Sequence, residues 1–383
     1  MKNGRIKVAL MSHPMDNRAG KGTALYTRKL IEELLKNERL EITLVHYDAV
    51  PDKLYKKARE IVIPQIPHLP FGTRFVRTLL FFWKYRKEKF DIIHWFQPRL
   101  YPFFWLAPAR FSVVTAHGGA DVTAPGQFPL SRHIYNFIMR YFHPWIAGVI
   151  GDSEFGRNEI IEAYGIPPEK VHTIYLGGSE DFKALDKTVA QRIIFERYKI
   201  RAPFILDVSR LEPHKNVDTL IRAYESLRRE SSITPALIIV GAKRFGAEKT
   251  LALATASLYA KDIIFLHFVE QQDLNALYSA ADVFVFPSLN EGFGLPIVEA
   301  FASGTPVVTS NVTAMPEIAG DAAITVYPTD TKALAGAMAR VLSDASLRET
   351  LIQKGLNRAK TFTWAETANK TLELYQAILS RKD

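Results

Sequence analysis

The chain has 383 residues, which is long for one domain and sufficient for two, and 48% of them are hydrophobic, an ordinary share for a globular protein. It contains no cysteine, which excludes a disulfide framework, a cysteine-ligated zinc site and a thiol nucleophile. Residues 1–150 hold 23 Lys and Arg against 11 Asp and Glu, a balance of +12, whereas the remainder holds 26 against 29. A basic half beside a near-neutral half indicates that one face meets an anionic partner.

The first half alternates strand and helix patterns, which favours a doubly wound parallel sheet. The predicted strands are Ile6–Met11, Glu41–Tyr47, Ile61–Pro64, Asp91–Phe96, Ser112–Ala116, Gly148–Asp152 and Val171–Leu176. A helix is predicted over Thr23–Asn37. No signal-peptide pattern precedes the first strand and no apolar run reaches bilayer length, so a soluble, cytoplasmic protein is expected.

The loop after the first strand contains Gly20 and Gly22 and runs directly into that helix. It lies at the edge of an α/β sheet where ligands bind, but it lacks the GxGxxG pattern of a dinucleotide site. Its glycines either approach a ligand closely or simply let the loop turn into the helix.

The segment Phe71 to Lys89 predicts a basic amphipathic helix with interleaved aromatic residues. Residues 71–145 hold 20 of the chain's 44 Phe, Trp and Tyr residues, more than twice their share by length. Two interpretations are open. The aromatic residues form a bulky core beneath the sheet, or part of the segment faces an anionic membrane surface or a lipid-linked acceptor.

His117 lies at the end of a predicted buried strand, a position from which a side chain can reach a ligand, although a lone histidine is more often structural. Ser153 is predicted to cap the helix that follows it. After a loosely patterned stretch, Gly177 to Ala202, that predicts a linker, a second series of strands begins. These strands are Phe204–Val208, Ala236–Val240, Ile263–Phe268, Val283–Phe286 and Pro306–Thr309.

Two cations, Arg210 and Lys215, flank the loop after the first of these strands, next to a helix for which Asn216 is the predicted N-cap. A cationic pair beside a helix N-terminus stabilises a diphosphate, although solvated surface charge is an alternative. The helix is predicted to run to Arg229.

The stretch from Asp282 to Ser310 predicts a buried strand, a short glycine-containing turn, a helix with Pro296 at its first position, and another strand. Glycines in the turn expose backbone amides at a helix N-terminus, which favours an oxyanion or sugar oxygens. Glu291 precedes the helix and Glu299 is placed in its first turn, so the two carboxylates can contact two parts of one ligand. The alternative is a tight turn with a dipole-complementing glutamate.

The phrase EGFGLPIVEAFASGTPVV, with Glu291 and Glu299 eight positions apart, resembles the hallmark of retaining nucleotide-sugar glycosyltransferases of family 4, glycosyltransferase group 1. The resemblance covers nearly the whole chain and is best in the second half. It implies the GT-B fold, two Rossmann-like doubly wound parallel-sheet domains facing across a cleft. The expected domains are an acceptor-binding one over 1–180, with a last helix at 364–383 packing back on it, and a nucleotide-sugar-binding one over 200–363.

The resemblance also implies roles for particular residues. The expected catalytic residues are Glu291, His117, Arg210 and Lys215, with Glu291 holding the donor sugar and the two cations the diphosphate. The expected donor-binding residues are Gly20, Gly22, Gly292, Phe293, Gly294, Leu295 and Glu299, the last of these on the ribose.

The expected reaction moves a hexosyl unit from a nucleoside diphosphate sugar to a hydroxyl of a saccharide or lipid-linked acceptor, with retention and front-side attack. No cofactor beyond the donor and no metal is expected, since Asp-x-Asp is absent. The expected partners are a donor and an acceptor, with peripheral contact at the inner face of an anionic membrane as an open alternative, and no nucleic acid. The alternatives are a sugar-nucleotide epimerase of the same fold and a non-catalytic protein that binds a membrane surface or an anionic polymer.

Overall fold

In a computed structural model, the structure describes residues 4–16, 22–47, 52–63, 73–97, 104–117, 130–201 and 203–381. The chain divides into two compact units, residues 1–176 with 364–383, and residues 177–363. No helix in the described part of the chain combines the length and the apolar character that crossing a bilayer requires.

The first unit is built on a seven-stranded parallel sheet with the order β3-β2-β1-β4-β5-β6-β7. Its strands are β1 (Ile6–Met11), β2 (Leu40–His46), β3 (Arg59–Val62), β4 (Phe90–Trp95), β5 (Ala109–Ala116), β6 (Gly148–Gly151) and β7 (Val171–Thr173). Its helices are α1 (Gly22–Leu34), α2 (Thr73–Tyr85), α3 (Leu130–Phe142), α4 (Glu154–Tyr164) and α13 (Trp364–Ser380). The strand order reverses between β1 and β4, as in Rossmann-like folds.

Buried apolar side chains explain why these segments form central strands. Val8 to Met11 are fully buried, as expected for a parallel strand that is covered by helices on both faces. The core includes Met11, Trp95, Val114, Ile138 and Ile160. Ser153 caps α4 as predicted, since its hydroxyl accepts a hydrogen bond from the Gly156 backbone N–H at 2.9 Å.

Helix α2 divides the basic aromatic segment between core and surface. Phe81 and Phe82 are buried, whereas Trp83 is 67% exposed. Arg77 is also buried, and its guanidinium donates hydrogen bonds to the carbonyl oxygens of Tyr47 and Ile63, each at 2.6 Å. Arg77 is therefore part of the packing and not of the basic surface that the sequence pattern indicated.

A buried hydrogen-bonded chain ties four elements of the first unit together. Tyr375 on α13 contacts His94 Nδ1 at 2.6 Å, and His94 Nε2 contacts the Thr115 hydroxyl at 2.8 Å. The Thr115 hydroxyl also contacts the Tyr26 hydroxyl on α1, at 3.1 Å. Burial lowers the pKa of His94 to about 3, so its ring is neutral and uses one nitrogen as donor and the other as acceptor.

The second unit contains a six-stranded parallel sheet with the order β10-β9-β8-β11-β12-β13. Its strands are β8 (Phe204–Val208), β9 (Ala236–Val240), β10 (Ile263–Leu266), β11 (Val283–Phe286), β12 (Val307–Ser310) and β13 (Ala323–Val326). Its helices are α5 (Lys187–Tyr198), α6 (Val217–Glu230), α7 (Ala247–Ala256), α8 (Gln271–Ala280), α9 (Leu295–Ala302), α10 (Met315–Ala319), α11 (Thr331–Ser343) and α12 (Ala345–Ala359). Two Rossmann-like parallel sheets are thus present, as expected.

The stretch 177–202 contains helix α5 where the sequence pattern predicted a linker, and it belongs to the second unit. Asp186 caps the helix, and Arg197 and Tyr198 both contact the Asp273 carboxylate on α8, at 2.6 Å and 2.8 Å. Only Ala190 and Ile194 of α5 are buried, which explains the weak amphipathic pattern of this helix.

Removing one hydroxyl tests the hydrogen-bonded chain of the first unit. Tyr375→Phe is expected to lower the free energy of unfolding by about 1–3 kcal/mol, because His94 then keeps a buried ring nitrogen without a partner. All five tryptophans lie in the first unit, so urea unfolding followed by tryptophan fluorescence reports on this unit. Tyr141→Phe, at a residue that is 59% exposed in the first unit, is the control. An unfolding curve for Tyr375→Phe that overlays the wild-type curve would contradict this account.

Candidate active site

Two neighbouring loops form the carboxyl edge of the second sheet. Strand β11 pairs in parallel with β8, with Val283 opposite Ile205, so the loops that follow the two strands lie side by side. One loop enters α6 and carries Lys215, and the other enters α9 and carries Glu291. The carboxyl edge of a parallel sheet is where α/β proteins bind ligands.

Gly294 sets the direction in which the chain enters α9. It has a left-handed backbone conformation with φ of 101°, and a Cβ atom there would lie 2.8 Å from Met315 Cε. The left-handed backbone favours glycine at this position, and the end of the Met315 side chain would have to shift to admit any other residue. Helix α9 begins at Leu295, so Pro296 occupies its second position and not the predicted first one. The turn leaves the first backbone amides of α9 at the sheet edge.

Lys215 and Glu291 form an ion pair, with the ammonium donating a hydrogen bond to Glu291 Oε1. The Lys215 side chain is 12% exposed and that of Glu291 is 15% exposed. Ser288 Oγ is also 2.7 Å from Glu291 Oε1, and the Glu291 backbone N–H donates to Thr313 Oγ1 at 3.3 Å. The carboxylate is thus held in one orientation by charge and by a hydroxyl.

The predicted second cation does not join this pair. Arg210 contacts Glu212 at 3.3 Å, and its side chain is 56% exposed. The structure therefore brings Lys215 to Glu291 and leaves Arg210 at the rim of the same loop.

Asn216 connects this loop to its neighbours in a way that differs from the prediction. It precedes α6 as expected, but its side chain makes no capping hydrogen bond and its φ is 59°. Its amide nitrogen instead donates to the Pro287 carbonyl at 3.0 Å and the Pro328 carbonyl at 2.7 Å. The Leu289 N–H also donates to the His214 carbonyl at 2.7 Å, and Ser288 Oγ lies 3.0 Å from the same oxygen.

Glu299 lies in the second turn of α9 and not in the predicted first turn, since the helix begins four residues earlier. The Tyr278 hydroxyl donates a hydrogen bond to Glu299 Oε2 at 2.8 Å. Burial raises the pKa of Glu299 to about 7, although the Tyr278 hydrogen bond opposes the shift. The donor-binding residues predicted around it divide by burial: Phe293 and Gly294 are buried, whereas Gly292 and Leu295 are partly exposed.

Asp207 is an acidic residue of the site that the sequence reasoning missed. It is the fourth residue of β8 and fully buried, and its Oδ2 accepts a hydrogen bond from Ser209 Oγ at 2.6 Å. Oδ1 has no hydrogen-bond partner among the described residues. Burial raises the pKa of Asp207 to about 7, with the Glu291 charge adding to the shift and the Lys215 charge opposing it. The detectable signal was an aspartate inside the otherwise apolar strand FILDV.

His117 belongs to the first unit and directly follows β5. Its Nδ1 is 2.7 Å from Asp152 Oδ2, and its ring packs edge-on against Tyr26 with the ring centroids 5.1 Å apart. A carboxylate on Nδ1 fixes the ring orientation and directs Nε2 away from it. Asp152 was not singled out in the sequence. Gly22 is the exposed first residue of α1, whereas Gly20 lies outside the described residues.

Asp207→Asn tests whether the Asp207 carboxyl near the ion pair takes up a proton. An acid whose pKa is higher in the folded than in the unfolded chain favours folding at low pH and loses that contribution as the pH rises through its folded pKa, here about 7. The variant is therefore expected to gain stability relative to the wild type between about pH 5 and about pH 8, by about 2 kcal/mol. Calorimetric unfolding at both pH values measures this gain.

Asp321→Asn is the matched control, since the Asp321 side chain is 82% exposed, and no comparable gain is expected there. Equal stability differences for Asp207→Asn at both pH values would show that Asp207 does not take up a proton in the folded protein.

Comparison with known proteins identifies the family. Residues 20–180 match the family described as Glycosyltransferase Family 4, and residues 191–358 match Glycosyl transferases group 1. O-antigen chain mannosyltransferase B from Escherichia coli is 32% identical over 284 residues, which cover 72% of this chain and 73% of that protein. The serotype-specific mannosyltransferase WbdA from Escherichia coli is 32% identical over 230 residues, which cover 59% of this chain and only 28% of that longer protein.

Solved structures show the same fold. Sucrose-phosphate synthase from Thermosynechococcus elongatus has a TM-score of 0.79 at 22% identity, over 98% of this chain and all (100%) of that one. HepE from Anabaena, in complex with UDP and glucose, has a TM-score of 0.77 at 18% identity, over 97% of this chain and 100% of that one. With its two Rossmann-like sheets and matches along nearly its whole length, the chain belongs to the family 4, group 1 glycosyltransferases of the GT-B class.

Proposed function

We propose that this glycosyltransferase moves a mannosyl unit from a nucleoside diphosphate sugar to a hydroxyl of a saccharide or lipid-linked acceptor, with retention of the anomeric configuration. The observation that carries the proposal is the Lys215–Glu291 pair beside the N-terminus of α9. Two relatives named as mannosyltransferases support the choice of sugar, and the UDP-bound HepE structure supports a nucleotide donor.

The proposed role of Lys215 is to stabilise negative charge on the departing diphosphate. Lys215 and Glu291 neutralise each other in the ion pair, so a diphosphate competes with a carboxylate for the ammonium. The first amides of α9 add partial positive charge at the same sheet edge. Preorganised charge of this kind is usually the largest single contribution to catalysis.

Glu291 is proposed to hold hydroxyls of the donor sugar and not to attack the anomeric carbon. Its Oε1 already takes hydrogen bonds from Lys215 and Ser288, and both weaken a carboxylate as a nucleophile. This favours departure and attack on one face of the sugar over a covalent intermediate. His117, in the first unit, is proposed to contact the transferred sugar, with Asp152 fixing the orientation of its ring.

Metal-independent catalysis is part of the proposal. No group of three or more His, Cys, Asp or Glu side chains with metal-binding geometry occurs among the described residues. In this proposal Lys215 and the N-terminus of α9 supply the positive charge that the departing diphosphate requires.

The acceptor is proposed to be a saccharide, free or lipid-linked, of the kind used in polysaccharide biosynthesis, with peripheral contact to an anionic membrane through the basic first unit. The relative named as an O-antigen chain mannosyltransferase supports this class. A panel of nucleotide sugars, including GDP-mannose and UDP-glucose, tests the whole proposal. Slow release of nucleoside diphosphate supports transfer, an isomeric sugar nucleotide would indicate an epimerase, and no release would indicate a binding protein.

Glu291→Gln separates catalysis from donor binding. The substitution keeps the shape of the side chain but removes the charge that pairs with Lys215, so binding of the nucleoside diphosphate is expected to be no weaker. Turnover of the preferred nucleotide sugar should fall about a hundredfold, since the positioned negative charge that holds the sugar hydroxyls is lost. Calorimetric titration and nucleoside diphosphate release measure the two effects.

The matched control for this variant is Glu349→Gln, at an exposed position on α12. Turnover of Glu291→Gln equal to that of the control would remove Glu291 from the mechanism.

Glu299→Gln tests the proposed ribose contact. Hydrogen bonds to a charged group contribute about 1.5–3 kcal/mol. Affinity for a nucleoside diphosphate should therefore fall by about tenfold or more. Protonation of Glu299 as the pH falls through about 7 weakens the ribose contact, whereas protonation of Asp207 in the same range favours the diphosphate. The variant should lose only the Glu299 part of this pH dependence. Inorganic pyrophosphate has no ribose and is the ligand control. A parallel loss of pyrophosphate affinity would show that Glu299 acts on the phosphates or on the fold.

A further inference from the structure

The segments that enter β5, β6 and β7 share one edge of the first sheet, opposite the edge at which His117 lies. These strands are neighbours and parallel, so their amino ends meet at this edge. Short helical turns enter them, at 104–106, 143–145 and 168–170. We call Trp105, Phe137, Tyr141, Trp145, Lys170 and Arg381 the amino-edge surface.

The aromatic residues of the amino-edge surface form a continuous exposed cluster. Trp105 is 42% exposed, Phe137 56%, Tyr141 59% and Trp145 48%. The ring centroids of Trp105 and Trp145 are 4.7 Å apart, as are those of Phe137 and Tyr141, and Phe142 packs against Trp105, Phe137 and Trp145. A contiguous exposed aromatic patch on a folded unit marks an interaction surface.

The cations of this surface are held by backbone carbonyls. Lys170 donates to the carbonyl oxygens of His143 and Pro144, at 3.5 Å and 3.2 Å, and Arg381 donates to that of Ala147 at 3.3 Å. Among the described residues neither cation forms an ion pair, although the Glu169 charge raises the pKa of Lys170 from the next position. Burial, and then the Arg381 charge, lower that pKa, so the two cations lie near each other.

The neighbouring histidines are neutral and add no positive charge of their own. The pKa of His143 is lowered by burial and by Lys170, and that of His172 by burial, Arg381 and Arg157. Both rings are therefore neutral near pH 7. The amino-edge surface combines exposed aromatic rings with positive charge that nearby carboxylates do not neutralise.

An exposed aromatic ring with a cation beside it also lies next to the neighbouring strand, β4. Helix α2 ends just before β4, which pairs with β5. Its exposed Trp83 carries the Arg86 guanidinium over its ring, 4.7 Å from the centroid. Tryptophan and tyrosine at the level of lipid headgroups, with flanking cations, are typical of membrane interfaces.

We propose that the amino-edge surface seats the first unit on an anionic lipid bilayer. The aromatic rings enter the headgroup region, and Lys170 and Arg381 contact lipid phosphates. His117 lies beyond the far end of β5, whose eight residues span roughly 26 Å, so the edge carrying His117 faces away from the lipid. The orientation rests on the proposed function, because it requires an acceptor that reaches His117 from the membrane. The acceptor is therefore a saccharide long enough to span the sheet.

Vesicle sedimentation tests the proposal. The wild type should sediment with vesicles of phosphatidylcholine and phosphatidylglycerol, and not with phosphatidylcholine alone. Lys170→Gln with Arg381→Gln should weaken binding about thirtyfold, since each cation near an anionic surface contributes about 1 kcal/mol. Trp105→Ser with Trp145→Ser should weaken it about tenfold through lost apolar burial. Circular dichroism melting confirms that each variant is folded.

Phe245→Ser with Lys249→Gln is the matched control, because both residues are exposed in the second unit. The proposal is overturned if the wild type does not sediment with anionic vesicles. It is equally overturned if the control loses as much vesicle binding as the Lys170/Arg381 and Trp105/Trp145 variants. It is also overturned if the variants change only the oligomeric mass in sedimentation velocity, which would identify a contact between copies of the chain. Nucleoside diphosphate release from a soluble nucleotide sugar should be unchanged in all variants. Absence of that release in the wild type, with vesicle binding intact, would reject the proposed function alone.

Discussion

The ion pair between Lys215 and Glu291 is the constraint on which the rest of the second unit's site depends. It joins the loops that follow two adjacent strands, and both partners are largely removed from water. A buried pair is costly unless additional hydrogen bonds satisfy it, and here Ser288 supplies one. The Leu289 N–H, next along the same loop, donates to the His214 carbonyl of the opposite loop. The charged site is therefore built from two loops, each of which carries one partner of the ion pair.

Asp207 makes this arrangement sensitive to proton uptake. When it is protonated, Lys215 and Glu291 compensate each other and the buried site carries no net charge. When it is ionised, an additional negative charge lies beneath the position where the proposed diphosphate binds, and repels it. A raised pKa for Asp207 is thus consistent with a site that accepts an anion. The buried acid limits the negative charge of the site without placing another cation in it.

The local pattern of the sequence predicted the strand, turn and helix that carry Glu291 and Glu299, because these elements follow one another directly in the chain. The buried strand Val283–Phe286, the glycine turn and the helix carrying Glu299 follow one another within 20 residues, and each has its own local signal. What could not be predicted depends on contacts between distant segments. Asparagine is a residue type that is favoured at N-caps, but the Asn216 side chain donates instead to the carbonyls of Pro287 and Pro328. These carbonyls are distant in sequence, so the local pattern could not indicate them. Strand β13 was missed because all four of its residues are only partly buried.

The two cations predicted as equivalent differ in their surroundings, and this difference has a consequence for the proposed mechanism. Arg210 forms a surface pair with Glu212, and exposed pairs of this kind contribute little to stability, so the guanidinium leaves its partner at small cost. Lys215 is buried against Glu291 and the Phe286 ring, and moving it would leave a buried carboxylate without its counter-charge. A mobile cation suits the capture of a diphosphate that arrives from solution. A fixed cation suits stabilisation of the charge that develops on the leaving group, because a preorganised site does not have to rearrange as that charge forms. Arg210 and Lys215 lie in one loop, but only Lys215 is buried, and we therefore assign them different roles in the proposed mechanism.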